Sequence, residues 1–415
     1  MATPTKYAVA VVADLGETLG LMPLLKKLAQ EGWPKLAVIA ISKESASAAQ
    51  RFMEINGAND GSWIVKMWTP ETLGFDDSYT FVYGETAQEF TDDQLLKIQC
   101  CIGKPRLLLS GMIYRAQALL CEHYKCLPAM TTRVVTFYES LQPMIDFRRE
   151  PFVRGIKSCN TSVMHELWCN NEICNKGFQT YVGDNSIQGP DMQVVVGSPS
   201  YISWRLQRES ESEEDRQERR RILLGDKHSD GKPIVLYCGS YDDESGSGEY
   251  TASVHMFARL VAKYKHLFQF VMSIHPRFYG ESNGVVDCME RRIFEQFSVG
   301  KDVIYSNSKN MSTVEAATIS SLTMSAHSTC AICSWYAGIP HIFVQDERNV
   351  SPDWDDGVDF IPKLNSVEEF DNHFVLQENG VPTIAPADLA VLEKEGYPLH
   401  DSDEIMLSRV HKMFS

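Results

Sequence analysis

VIYSNSKNMSTVEAATISSLTMSAHSTCAICSWYAGIPHIFVQD, residues 303–346, alternates short apolar runs with helix-length segments. Three runs, 303–305, 321–325 and 341–344, have the length and apolar character of buried parallel strands. After the second come the turn Ala326-His327-Ser328-Thr329 and an apolar segment, 330–337, closed by Gly338 with Pro340 beyond it. Glycine just past a helix and proline soon after is stop chemistry. Ser328 and Thr329 are therefore expected at the N-cap or in the first turn of a helix that starts at a strand's carboxyl end. That geometry aims backbone N–H groups and the positive end of the helix dipole at one point, which suits a phosphate. It is equally the geometry of an ordinary βαβ unit whose Ser and Thr only cap a helix.

The same alternation extends both ways from this stretch. Residues 233–237 (PIVLY) read as a strand followed by the loop CGSYDDESGSGEY, 253–264 as a helix, 268–274 as a strand and 286–297 as a helix. Downstream, 364–373 and 403–413 read as helices. In an open parallel sheet, ligands bind outside the carboxyl ends of the strands. The loops Gly239-Ser240, His275-Pro276-Arg277, 325–329 and 346–348 are all expected on that edge. Gly239 allows close backbone approach, and Arg277 offers a fork of donors for phosphate. His275 can donate a hydrogen bond or a proton. Ser328 and Thr329 add hydroxyls, and Asp346 or Glu347 can take ribose hydroxyls. Each signal is weak singly; their coincidence on one edge carries the argument.

The first half has the same style. Residues 7–13 read as a buried strand, 14–20 as a turn, 21–30 as an amphipathic helix and 36–41 as the next strand. The turn lacks the G-x-G-x-x-G fingerprint of dinucleotide binding. Its Asp14 and Glu17 would repel a diphosphate and suit proton abstraction instead, although turn and capping roles explain them equally. Some six or seven strand–helix alternations before residue 200 imply a doubly wound parallel sheet. The mixed charge run QRESESEEDRQERRR, residues 207–221, reads as a solvated helix face or a connector, and the domain boundary is placed there. The expected domains are 1–200 and 201–400, with a final helix in 401–415 that packs back on the first domain.

Length and composition agree with this. A chain of 415 residues, 44% hydrophobic and 23% charged, is an ordinary globular mixture too long for one core. A net charge of −16 disfavours a nucleic-acid partner. No apolar run approaches the roughly 20 residues of a membrane span, and the amino-terminal stretch lacks the pattern of a signal peptide. The 11 cysteines, an odd number lying mostly in strand- or helix-like runs, fit free thiols in a reducing compartment, and hence a cytoplasmic protein. Cys330-x-x-Cys333 stands alone, without a second pair at zinc spacing.

A family resemblance joins these motifs. VVVGSPSYI (194–202) resembles the V-x-G-x-P segment that ends the first domain of GT-B type glycosyltransferases, and KPIVLYCGSYDD (232–243) resembles the strand and turn that open their second. SIHPR (273–277) is similar to the histidine–proline motif of bacterial sialyl-, polysialyl- and capsule-sugar transferases. TMSAHSTCAICSWYAGIPHIFV (323–344) resembles their serine/threonine motif, and GETLGLMPLLKKLAQEG (16–32) their first glycine turn and helix. The resemblance implies an α/β chain of two Rossmann-like domains facing across a cleft. Gly239, Ser240, His275, Arg277, Ser325, His327, Ser328 and Thr329 would contact the donor. Where many relatives carry Glu after the serine motif this chain has Ile332-Cys333-Ser334, so ribose recognition moves to Asp346 or Glu347. The E-x7-E pattern of many retaining enzymes is not evident, which favours inversion.

The expected function is then an inverting glycosyltransferase. It would need no cofactor or metal, and would move a sugar from a nucleotide-sugar donor to a hydroxyl acceptor, a glycan or a small molecule. Asp14 or Glu17 would be the base, with His275 at the leaving phosphate and Glu139 as an alternative base. Three alternatives share the architecture. One is a non-hydrolysing UDP-sugar 2-epimerase, for which the resemblance implies a glutamate pair in the helix after the serine motif. The others are a polyol-phosphate transferase similar to the teichoic-acid polymerases and a non-catalytic nucleotide-sugar-binding protein.

Overall fold

The computed structural model describes residues 6–58, 63, 65–75, 90–111, 115–126, 132–139, 164–184, 191–239, 249–274, 289–306, 311–326, 328–345 and 358–415. The chain divides into two compact units, Met1–Ser200 with Glu393–Ser415, and Tyr201–Leu392. Each is a Rossmann-like layer of parallel strands with helices on its faces.

The first sheet is built from β1 (Tyr7–Val12), β2 (Lys35–Ala40), β3 (Val65–Trp68), β4 (Leu107–Gly111), β5 (Arg133–Tyr138), β6 (Glu166–Cys169) and β7 (Met192–Val195), in the order β3-β2-β1-β4-β5-β6-β7. Every pairing in it is parallel. The central strand shows why its sequence is apolar throughout. Ala8, Ala10 and Val12 enter one core, whereas Tyr7, Val9, Val11 and Ala13 enter the other. With both faces covered, period-2 alternation carries no polar residue. Helices α1 (Leu15–Gln30) and α2 (Lys43–Ile55) lie over the first core. Helices α3 (Asp92–Ile102) and α4 (Arg115–Cys126) lie over the second. Helix α5 (Glu172–Asp184) connects β6 to β7.

The stretch 14–20, read from sequence as a turn, is instead the start of α1. The Asp14 carboxylate accepts the Glu17 N–H at 2.8 Å, which fixes the N-terminus six residues earlier than hydrophobic periodicity implied. Pro23 consequently lies inside the helix. Gly20 lets α1 settle on the sheet: a Cβ there would stand 2.4 Å from the Phe137 ring of β5.

The second sheet contains β8 (Ile234–Cys238), β9 (Gln269–Ser273), β10 (Val303–Ser306), β11 (Leu322–Ser325), β12 (His341–Val344) and β13 (Lys363–Leu364), ordered β10-β9-β8-β11-β12-β13 and again all parallel. Helices α6 (Pro199–Ser210) and α7 (Glu213–Leu224) precede it, and α8 (Glu249–Tyr264), α9 (Met289–Gln296), α10 (Thr313–Thr318) and α11 (Cys330–Tyr336) cross between its strands. The two units meet along the chain within α6. The expected helix 364–373 is a short strand followed by a 3-10 turn, Glu368–His373. Phe370 is the one residue of that turn buried in the core, too little apolar face to hold a longer helix. A small antiparallel pair, β14 (Val375–Leu376) and β15 (Pro382–Thr383), follows.

After α12 (Leu389–Lys394) the chain returns to the first unit as α13 (Ser402–Phe414). Met406, Leu407 and Val410 join the core beneath α1. Phe414 meets Trp33 edge-on at 5.8 Å between ring centroids, and Lys27 of α1 pairs with Glu404 and with Asp403. Arg409 grips Glu166 at the start of β6 with two nitrogens, at 2.6 and 3.2 Å. Trp168 donates to the same carboxylate at 2.8 Å. With 16% and 7% of their side chains exposed, this pair is mostly withdrawn from water. Removing one member of such a pair leaves the other charge buried without compensation. Arg409→Ala should therefore destabilise the first unit by about 3 kcal/mol in a urea titration, several times the cost of breaking an exposed pair.

Candidate functional site

In each sheet the strand order reverses once, between β1 and β4 in the first and between β8 and β11 in the second. At such a switch point the flanking loops diverge and leave a crevice at the carboxyl edge. The described candidate residues of both units lie at these two places, with Glu139 one strand further along, after β5.

In the first unit Asp14 follows β1 and caps α1, and its carbonyl also accepts the Thr18 hydroxyl at 2.6 Å. Glu17 turns back beneath the cap. Its Oε2 accepts the Ala13 N–H at 2.8 Å and the Gln117 amide at 2.7 Å, and Gln117, on α4, also donates to the Val11 carbonyl at 3.3 Å. Glu17 is 0% exposed, and among the described residues its Oε1 has no hydrogen-bond partner. Burial above all, then the Asp14 charge, holds its pKa well above the usual carboxylate value, and the two donated hydrogen bonds offset this only in part. Glu139 follows β5 and is 8% exposed. Burial, then Asp14, pushes it up in the same way. Its backbone carbonyl accepts the Asn170 amide at 2.9 Å.

Two glycines make room for these carboxyls. A Cβ on Gly111, at the end of β4, would lie 1.8 Å from the Glu17 carboxyl, and one on Gly16 would lie 1.9 Å from Glu139 Oε1. What these positions require is the absence of a side chain. The sequence reading singled out Asp14, Glu17 and Glu139 one by one, and the fold gathers them into one group. Glu17 has no accessible surface, so it can act only through its neighbours. Asp14 is the most exposed of the three. The sequence reading missed Gln117, a lone amide in an amphipathic helix, and it took Gly16 for a turn residue.

In the second unit Gly239 follows β8 and donates its N–H to the Ser273 carbonyl at 2.8 Å. Ser325 ends β11, paired with β8. Its hydroxyl lies 3.0 Å from His341 Nε2, and His341 Nδ1 lies 2.8 Å from the Thr323 hydroxyl. His341 is fully buried, and burial pushes its pKa down to about 3, so the ring is neutral. It holds both hydroxyls in place from the neighbouring strand. Ser328 Oγ accepts the Cys330 N–H at 3.2 Å and so caps α11. Thr329, the N-cap by backbone geometry, makes no side-chain cap bond. Cys330 is hydrogen-bonded to the buried Cys238 thiol; that bond is the main cause that lowers the Cys330 pKa and raises the Cys238 pKa. Cys330 is thus engaged across the strand end with Cys238. Ser240, His275, Arg277, His327, Asp346 and Glu347 lie outside the described residues. Among the described residues no group of three or more His, Cys, Asp or Glu side chains is arranged to hold a metal ion, and no helix is long and apolar enough to cross a membrane.

No protein-family model matches the chain, and no curated protein sequence matches it. Its backbone, in contrast, follows solved structures along nearly its whole length. UDP-GlcNAc 2-epimerase from Neisseria meningitidis, solved with UDP-GlcNAc bound, is similar with a TM-score of 0.58 at 11% identity, covering 98% of this chain and 100% of that one. MnaA of S. aureus, solved with UDP, gives 0.61 at 11% identity over 98% and 96% of the two chains. The wall teichoic acid polymerase TagF gives 0.54 at 9% identity over 99% and 89%. At these identities the likeness is one of fold, and the fold is of the GT-B type: two Rossmann-like parallel sheets, each flanked by helices.

Proposed function

We propose that the chain is an enzyme acting on a nucleotide-activated sugar. Acid–base work falls to Asp14 and Glu139 of the first unit, and nucleotide recognition to the strand-end loops of the second. The observation that carries this reading is the cluster of Asp14, Glu17 and Glu139 at a switch point, with two of its three carboxyls held toward the protonated form. Carboxyls perturbed by burial and by one another, gathered at a sheet edge, are what proton transfer near neutral pH calls for. Glu17 would stay neutral and hold the cap and Gln117 in position.

The fold likeness supports 2-epimerisation over the inverting transfer expected from sequence, because one of the structures above is a 2-epimerase solved with UDP-GlcNAc. Chemistry favours it too. Changing configuration at a ring carbon that bears hydrogen means taking a proton from one face and delivering one to the other. That takes two proton carriers, whereas transfer to a hydroxyl needs one base. A transfer reading keeps one argument: α11, CAICSWY, has no carboxylate where the epimerase resemblance implies a glutamate pair. The donor roles of Gly239, Ser240, His275, Arg277, Ser325, His327, Ser328 and Thr329, and of Asp346 or Glu347 at the ribose, belong to this proposal, as does turnover without a divalent ion.

Incubation with UDP-GlcNAc in D2O tests it. Epimerisation should give the 2-epimer with deuterium at C2, seen by NMR without added acceptor. Release of UDP that depends on an added acceptor, with no label at C2, would select transfer, and failure of UDP and its sugars to bind at all would remove both readings. Asp14→Asn and Glu139→Gln should each lower turnover by about 10²–10⁴-fold with nucleotide affinity kept. Near-wild-type rates in both would place the acid–base groups elsewhere.

Glu17 has a separate signature in stability. A carboxyl whose pKa is raised by folding contributes stability that is present in full below its unfolded value and is lost as pH rises through the native value. Wild type therefore carries at pH 8 a penalty that glutamine lacks. Glu17→Gln should melt higher than wild type at pH 8, with the difference shrinking toward pH 4. A pH-independent difference would mean that Glu17 is ionised in the native state.

A further inference from the structure

The charged run 207–221, read from sequence as a solvated face or connector, has an inner side. It forms the end of α6 and most of α7. Arg216 and Arg220, four residues apart and so on one face of α7, converge with Arg208 of α6 on a cavity of about 350 Å³. The cavity lies at the amino-terminal edge of the second sheet, where Ser320 and Ser321 lead into β11 and Pro340 into β12. This is the edge opposite Gly239 and Ser325, so the cavity is separate from the candidate site of that unit.

The arginines are poorly compensated. Arg208 is half-buried, and its Nη1 is buried without a hydrogen-bond partner among the described residues. Burial, then the charge of Arg216, disfavours its cation, and Glu211 offsets this only in part. Glu211 is itself engaged by Arg219 at 3.3 Å and by the Thr318 hydroxyl at 3.1 Å. Arg216 Nε lies 3.4 Å from Glu213 without a hydrogen bond, and Gln217 holds the other oxygen of Glu213 at 2.8 Å. Arg220 gives one N–H to the Lys232 carbonyl and is otherwise held back by burial. Three guanidinium groups thus line the cavity against the single carboxylate of Glu213, in a chain whose net charge is −16.

Guanidinium groups cannot shed their charge by deprotonation, so a half-buried cluster of them is stable only with anions nearby. Their planar forks match phosphate oxygens. The cavity volume is within the range of small-molecule sites, and Pro382, Ile384 and Pro386 give it a rigid, largely apolar wall for the uncharged part of a ligand. We infer that this cavity, framed by Arg208, Arg216 and Arg220 at the amino edge of the second sheet, binds a small phosphorylated molecule with at least two negative charges.

The test is calorimetry of the full chain with inorganic pyrophosphate. Wild type should show saturable binding that weakens with salt. Arg216→Gln should weaken it by about tenfold, and Arg208→Gln with Arg216→Gln by about a hundredfold, while UDP affinity is unchanged in both variants. The single variant alters a half-exposed helix position, so it decides the matter if the double variant does not fold. Absence of saturable pyrophosphate binding to wild type would overturn the inference. So would undiminished affinity in Arg216→Gln, which would place the ligand elsewhere, or an equal loss of UDP affinity, which would make the arginines part of the nucleotide site. Because the pyrophosphate measurement needs no nucleotide sugar, its failure is distinct from failure of the functional reading above.

Discussion

The parallel hydrogen-bond ladder is the constraint on which the rest of this protein depends. Two parallel neighbours cannot be joined by a hairpin, so every connection must cross back over a face of the sheet. With all strands running one way, both faces are sealed by helices and all carboxyl ends share one edge. The strands become continuous apolar runs, and polar chemistry is left only at the edges. The position of Asp14, Glu17 and Glu139 follows from this: they stand after β1 and β5, and the bare backbone of Gly111, at the end of β4 between them, leaves room for the Glu17 carboxyl as that of Gly16 does for Glu139.

The two charged clusters meet the same physical problem with opposite means. A carboxyl pressed into low dielectric can take up a proton, and burial drives Glu17 and Glu139 in that direction. Their cost is thereby converted into a proton reservoir. Arginine has no such exit at any ordinary pH. Arg208 and Arg216 therefore depend on neighbouring carboxylates, and Glu211 and Glu213 are already shared with Arg219 and Gln217. Net charge says nothing of this, since the run that contains these arginines is nearly balanced in sequence.

Architecture was legible because burial writes itself into periodicity. The stretch 303–346 yields β10, β11 and β12 within a residue or so of where apolar runs put them, and Gly338, at φ +68°, stops α11 as glycine should. Capping chemistry was harder to weigh. Asp14 starts α1 well before its amphipathic pattern becomes visible, since the first turns rest on glycines with no side chain to show a period. Of the candidate site, the residue types were legible and their relations were not. Nothing local distinguishes Glu17, sealed under Gly111, from the exposed acid that the same letters also allow. Gln117 reaches it from 100 residues away, and no window of sequence holds both. His341 looked like one more strand residue, and only the register Thr323↔His341 shows that it anchors two hydroxyls.

The return of α13 to the first unit bears on how the protein is made. A ribosome adds about 5–20 residues per second, so the stretch between the two parts of that unit takes roughly 10–40 s to emerge. Throughout that interval the first sheet is complete, yet the groove beside α1 that receives Met406 and Val410 is open, and Glu166 waits for Arg409. The second unit, continuous in sequence, can finish as soon as it leaves the exit tunnel. The amino-terminal unit is therefore begun first and closed last. The nascent chain carries an exposed apolar seam for close to half of its synthesis, and that seam is the surface a chaperone would meet.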